Sequence, residues 1–120
     1  MGTKPEDRLM TRCLRLIPEI QCWPTWLQIG ESHVFDNVDP FSIGISNSLA
    51  VCLRQWSDRW DETYDMANDP GNPKFPTADD ERAFWHDGAE LANRLRRELG
   101  ENWNVEYEPG KVYASALTDQ

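Results

Sequence analysis

His33, Asp36 and Asp39 offer an imidazole nitrogen and two carboxylates within one short stretch, a donor set that suits a metal centre and, through it, a metal-dependent enzyme. The same acids flank Asn37 and Pro40, a composition in which short polar side chains bond the adjoining backbone and make a turn, so structure accounts for them as readily as chemistry does. His86, the other histidine, lies far along the chain, and neither histidine has a second one at i+4, the helical zinc spacing. Cys13, Cys22 and Cys52 are an odd number with no C-x-x-C pair, which fits small buried hydrophobes better than a disulfide framework or a zinc ribbon. A G-x-S-x-G elbow, a phosphate-cradling glycine loop and a cysteine beside a histidine are all missing. The reading is a non-enzyme with no cofactor and no metal; a metal-dependent enzyme built on His33, Asp36 and Asp39 is the distant rival.

Charge is more informative than any motif. The chain of 120 residues holds 21 acidic against 12 basic side chains, a formal net charge of −9 and a pI near 4.6. Such a surface repels phosphate backbones and anionic lipid heads, so neither nucleic acid nor membrane is the expected partner, and a basic protein is. Residues 58–90 hold ten of the acids against only Arg59, Lys74 and Arg82. Asp58, Asp61, Glu62 and Asp65 recur at helical spacing on a face turned away from the apolar stripe, and Asp69 continues it. Like charges so placed destabilise an isolated helix by about 0.2–0.5 kcal/mol per pair. A solvated face is the plain explanation; a cationic partner is the functional one. Large rings among the acids favour the second. Trp85 sits beside Phe84, off the helical stripe, and Trp23 and Trp26 bracket Pro24. At least one such ring left exposed among carboxylates makes a protein-binding face, in which a desolvated anchor supplies affinity and charges supply steering. A core role for all three tryptophans is the alternative.

The elements that position these residues follow from periodicity. Leu14 and Leu16 alternate with Arg15, a strand that ends before Pro18. Residues 26–29 and 33–35 read as a hairpin joined through Gly30, Glu31 and Ser32, and Asp36, Asn37, Asp39 and Pro40 as the turn that follows. Ser46 then caps a helix whose stripe is Leu49, Leu53, Trp56, Trp60 and Tyr64. Pro70, Gly71, Pro73 and Pro76 break it off in a loop. Thr77 with Asp80 caps a second helix with Asp79, Asp80 and Glu81 at its positive end and Arg94, Arg96 and Arg97 in its last turns; its stripe is Phe84, Gly88, Leu91, Leu95 and Leu99, and Gly100 stops it. Gly88 on that stripe reads as a close-packing glycine. Trp103, Val105 and Tyr107 alternate with polar residues as a strand, and Pro109 and Gly110 suit a turn into a last strand over 112–114.

The order is β-β-β-α-α-β-β, hence an α+β fold: two antiparallel-packed helices on one face of a small, mostly antiparallel sheet. The expected division is a flexible tail over 1–11, one domain over 12–114 and a C-terminal tail over 115–120. The length suits a single domain, no run is long and apolar enough to span a bilayer, and the N-terminus lacks the pattern of a secretory signal, so the expected location is cytoplasmic.

Pro18, Glu19, Cys22, Trp23, Pro24 and Trp26, the Asn37-Val38-Asp39-Pro40 turn, the Trp56, Trp60 and Asp61 helix, and the Gly88, Leu91, Leu95, Leu99 and Gly100 helix running into Val105 and Tyr107 together resemble small acidic bacterial immunity proteins of polymorphic toxin and contact-dependent growth inhibition systems. The resemblance spans residues 14–107 and contains no catalytic signature. It implies a cytosolic protein that binds and blocks one cognate toxin domain, often a nuclease. A nuclease presents basic groups to its substrate, and an acidic protein can occupy or flank that cleft. On this reading Asp58, Asp61, Glu62, Asp65 and Asp69 lead the contact, with Glu81 and Trp85 beside them. A small acidic adaptor that binds some other basic protein shares all of these features and differs only in its partner.

Overall fold

A computed structural model describes residues 12–107; the tails over 1–11 and 115–120, the turn at Pro109 and Gly110 and the strand over 112–114 lie outside the described residues. Alternation at the start gives strand β1, Arg12–Leu16, with Leu14 and Leu16 fully buried on one face. β2, Thr25–Gln28, and β3, Phe35–Val38, form an antiparallel hairpin, and β2 also pairs antiparallel with β1.

The return strand starts two residues later than its composition suggests. His33 lies in the hairpin connection, while Asp36 and Asn37, expected in a turn, belong to β3. The cause is the loop. Ser32 accepts a hydrogen bond from the Val34 N–H at 3.1 Å and donates its hydroxyl to the Ile29 carbonyl at 2.6 Å. Gly30 supplies the positive φ of 57°. The connection therefore runs through Val34 before pairing resumes with the Ile29 N–H on the Val34 carbonyl.

Asp39 caps a 3-10 turn, Pro40–Ser42, by accepting from the Phe41 N–H. Helix α1, Asn47–Asp61, is capped by Ser46 as expected, with the Leu49 N–H on the Ser46 hydroxyl at 3.2 Å. It ends three residues before Tyr64, because the Thr63 N–H and hydroxyl both close on the Trp60 carbonyl, tightening the last turn. Tyr64 instead meets Trp60 edge-on outside the helix. Helix α2, Ala78–Leu99, begins at the Thr77 cap, carries Asp79, Asp80 and Glu81 in its first turn and Arg96 and Arg97 in its last, and stops at Gly100, whose φ is 87°.

The chain then returns as β4, Trp103–Tyr107, parallel to β1 with Val105 opposite Leu14. The sheet order is β3-β2-β1-β4. Two of its three pairings are antiparallel; the parallel one arises because the chain leaves at the β3 edge, crosses beneath the sheet as two helices and re-enters at the opposite edge. The fold is thus α+β with a mixed sheet.

The helices run antiparallel. Ser46 meets Glu98, Ser48 and Cys52 meet Arg94, and Arg59 meets Asp87, so rising numbers on α1 face falling numbers on α2. Leu14, Leu16, Leu49, Leu53, Trp56, Phe84, Leu91, Leu95 and Val105 form one core between helices and sheet. At its centre Trp56 stacks on Phe84, centroids 4.5 Å apart, and donates its indole N–H to the Phe84 carbonyl at 2.8 Å. Gly88 is the packing glycine foreseen: a Cβ there would stand 2.4 Å from the Tyr107 hydroxyl and 2.5 Å from the Trp56 ring. On the sheet's other face Arg15 lies over the Phe35 ring and pairs with Glu106 at 2.7 Å.

Candidate functional site: a cleft beside the acidic flank of α1

Asp58 and Asp61 recur at a step of three on α1, with Arg54 one turn before Asp58, and this row faces the loop between β1 and β2. Loop and helix are tied at two points. The Ser57 hydroxyl donates to the Cys22 carbonyl at 3.0 Å, and the Gln21 N–H donates to Asp61 Oδ1 at 3.0 Å. Gln21 has a φ of 58°, the left-handed region that a side chain disfavours, and the Asp61 carboxylate compensates by holding its amide. From the sheet side the Asn37 amide oxygen accepts from the Trp23 N–H while its nitrogen donates to the Trp23 carbonyl. The loop is therefore held by backbone bonds that leave the Trp23 ring uncommitted. Between loop and helix opens a cleft of about 370 Å³, lined by Trp23, Pro24, Arg54, Ser57, Asp58 and Asp61 among others.

Among the described residues neither Asp58 nor Asp61 has a cationic side chain within 4 Å, although Arg54 is close in sequence. Glu19 borders a different hollow, with Arg15, Ile17, Trp26 and Phe35; burial, and then the Glu19 charge, raise the Tyr64 phenol above its ordinary value.

The other acids singled out from sequence go elsewhere. Glu62 borders a second hollow with Arg59, Lys74 and Phe75. Asp65 organises its own loop, accepting from the Ala67 and Asn68 N–H groups and from the Asn68 side chain. The Asn68 side chain, and then its backbone amide, hold the Asp65 carboxyl below the usual range. Asp69 accepts from Asn72 at 2.8 Å and sits 3.7 Å from Lys74. Glu81, in the first turn of α2, meets the Trp85 indole N–H at 3.4 Å.

Of the three tryptophans of which at least one was expected to stay exposed, Trp85 is only 5% exposed and packs in the core against Phe84 and Trp60. The ring that does stand among carboxylates is Trp23, 43% exposed. Trp26 is half-buried, its indole N–H on the Ile17 carbonyl. Gln21, Asn37, Arg54 and Ser57 were not foreseen as parts of a site. Only the outward row at positions 54, 58 and 61 left a periodic trace; the bonds from Gln21, Asn37 and Ser57 depend on where the loop lands.

His33, Asp36 and Asp39 are separated into the hairpin connection, β3 and the 3-10 cap. Among the described residues no group of three or more histidine, cysteine, aspartate or glutamate side chains could hold a metal ion. The three cysteines are free and half-buried. No described helix is long and apolar enough to cross a membrane.

No curated protein matches the chain. The model of the Serratia CdiI immunity protein-like family matches residues 12–110, which takes in both helices, all four strands and the cleft. The chain accordingly belongs to the Serratia CdiI immunity protein-like family and has the role of an immunity protein that binds a cognate toxin.

Proposed function

We propose that the chain neutralises a cytosol-acting toxin domain with a basic surface, a nuclease, by docking the flank of α1 that carries Asp58 and Asp61 against it. The observation that supports this reading is a pair of carboxylates, without a cationic partner among the described residues, beside the exposed Trp23 ring in a cleft whose walls are already tied together. A preformed site loses little entropy when a partner arrives. Unpaired anions attract a basic surface at long range and leave the toxin no room for its polyanionic substrate. Glu62, Asp65, Asp69 and Glu81 extend the negative field around this point and serve steering more than contact, since Asp65 and Asp69 already hold their own loop. The protein works in the cytoplasm on this reading.

The test is capture of the cognate toxin domain, taken from the adjoining reading frame. Asp58→Lys places a like charge against the basic surface and is expected to weaken binding by about tenfold or more and to flatten its salt dependence. Among the described residues Asp58 has no ion pair, so the reversal breaks none there. Unchanged affinity rejects this flank as the docking surface.

A further inference from the structure

The cleft at Trp23 does not stop at Asp58. A separate hollow of about 190 Å³, bounded by Phe41, Val51, Arg54, Gln55 and Asp58, adjoins it, and the two share Arg54 and Asp58 as their common wall. Six large hydrophobic residues are exposed among the described residues, and three of them, Trp23, Phe41 at 44% and Val51 at 42%, border this pair of hollows. Gathering at one place, unlike scattered exposure, marks an interaction surface. Val51, Arg54, Asp58 and Asp61 follow one another at steps of three, four and three on α1, so a single outward stripe of the helix forms the floor. The Arg54 guanidinium leans over the Phe41 ring at 5.6 Å instead of pairing with Asp58. Arg54 thus stands between the apolar hollow and the anionic one.

Resting on the reading that this flank docks a basic toxin, we propose that the two hollows form a two-part seat for one arginine side chain of the toxin and an apolar neighbour of that arginine. The guanidinium enters the first hollow against the Trp23 face, with the Asp58 carboxylate and the free oxygen of Asp61 as acceptors. A planar cation suits this geometry better than an ammonium, because it stacks on an indole while its edge donates to carboxylates. The apolar neighbour covers Phe41 and Val51. The acids farther along the chain, Asp65 and Asp69, lie outside the seat and steer.

The experiment has two arms, both on the full chain. In the first, N-acetyl-arginine amide and N-acetyl-lysine amide, each with one positive charge, are titrated into the isotopically labelled protein and followed by NMR. The expected result is a millimolar response to the arginine compound at the Trp23 indole and the Ser57 and Asp58 amides, weaker by about threefold or more for the lysine compound, and lost in Asp58→Asn and in Trp23→Ala. Asp58→Asn keeps the shape, and Trp23→Ala keeps the Asn37 bonds that fix the loop, so neither depends on a refolded cleft. Equal response to both compounds, or shifts centred on Asp79, Asp80 and Glu81, overturns the seat. In the second arm toxin capture is measured for Trp23→Ala, Phe41→Ala and the double neutralisation Asp65→Asn with Asp69→Asn, whose amide oxygens can keep the loop's hydrogen bonds. The seat predicts loss of at least tenfold for the first two and only a slower association for the third. Loss confined to the Asp65 and Asp69 variant overturns the seat while leaving acid-led docking intact; capture indifferent to Asp58→Lys as well ends the docking reading itself.

Discussion

The difference between Trp23 and Trp85 shows what a single residue's sequence position can reveal. Trp85 stands next to Phe84 and off a narrow stripe through Phe84, Gly88, Leu91 and Leu95, which is why it reads as outward. In the fold α2 buries Phe84, Trp85, Gly88, Leu91, Ala92 and Leu95, a wider stripe, because it packs on α1 and on β4 at once. The second contact is a property of topology, invisible to periodicity. Trp85→Ala should lower stability by about 3–5 kcal/mol, the usual loss for a buried tryptophan, read by thermal denaturation; a binding defect in a variant of unchanged stability would contradict this placement. Gly88 was legible for the opposite reason, since a glycine on a buried stripe has few other uses. Gly88→Ala pushes a methyl into Trp56 and the Tyr107 hydroxyl, which itself donates to the Trp85 carbonyl at 2.6 Å. Overpacking of about 1–3 kcal/mol outweighs the helix preference for alanine, about 1 kcal/mol, so the expected result is a lower Tm.

Among the elements, the two helices were readable to within a residue at their starts, because Ser46 and Thr77 are caps whose chemistry is local. What no local pattern reveals is that one cap is shared. Glu98, in the last turn of α2, accepts from the Ser46 N–H at 2.7 Å and from its hydroxyl at 2.8 Å, joining the end of one helix to the beginning of the other. The Ser46 backbone amide, then its hydroxyl, hold the Glu98 carboxyl below its usual value. Since the folded value lies below the unfolded one, this contribution is complete above an unfolded pKa of about 4.3 and fades as pH falls through the folded value. Glu98→Gln should therefore narrow the stability difference from wild type as denaturation is measured at progressively lower pH below that point. Ser46→Ala should cost about 0.5–2 kcal/mol and reduce, without abolishing, the effect of the Glu98 variant in a double-mutant cycle, because the backbone N–H at position 46 still donates to Glu98; fully additive effects would show that the hydroxyl and Glu98 do not form one clamp. The third strand starts later than its composition suggests because the Ser32 hydroxyl, bonded to the Ile29 carbonyl and the Val34 N–H, lengthens the hairpin loop.

At the scale of the whole molecule, the net negative charge pointed to a basic partner before any fold was in view, and family membership gives that partner its kind, a toxin. The charge did not say where contact occurs. Ten acids between residues 58 and 90 scatter over the end of α1, the loop after it and the first half of α2, and only Asp58 and Asp61 meet an exposed ring in a cleft. The division between steering and contact has a kinetic consequence. Raising ionic strength should slow association with the toxin steeply while leaving dissociation nearly unchanged, because charges beyond a Debye length of about 8 Å in physiological salt are screened and packed contacts are not. Stopped-flow mixing at several salt concentrations reads both rates; a dissociation rate that rises as steeply as association falls would mean that exposed ion pairs carry the complex.

The seat of the toxin can be located directly by backbone amide exchange over residues 12–107, in the free protein and in the complex. Docking at the α1 flank predicts slowed exchange in the loop over 21–24 and along 51–61, with the hairpin tip over 29–34 and the outer face of α2 unchanged. Protection at the hairpin tip or on α2, with 21–24 and 51–61 exchanging as in the free protein, would contradict it.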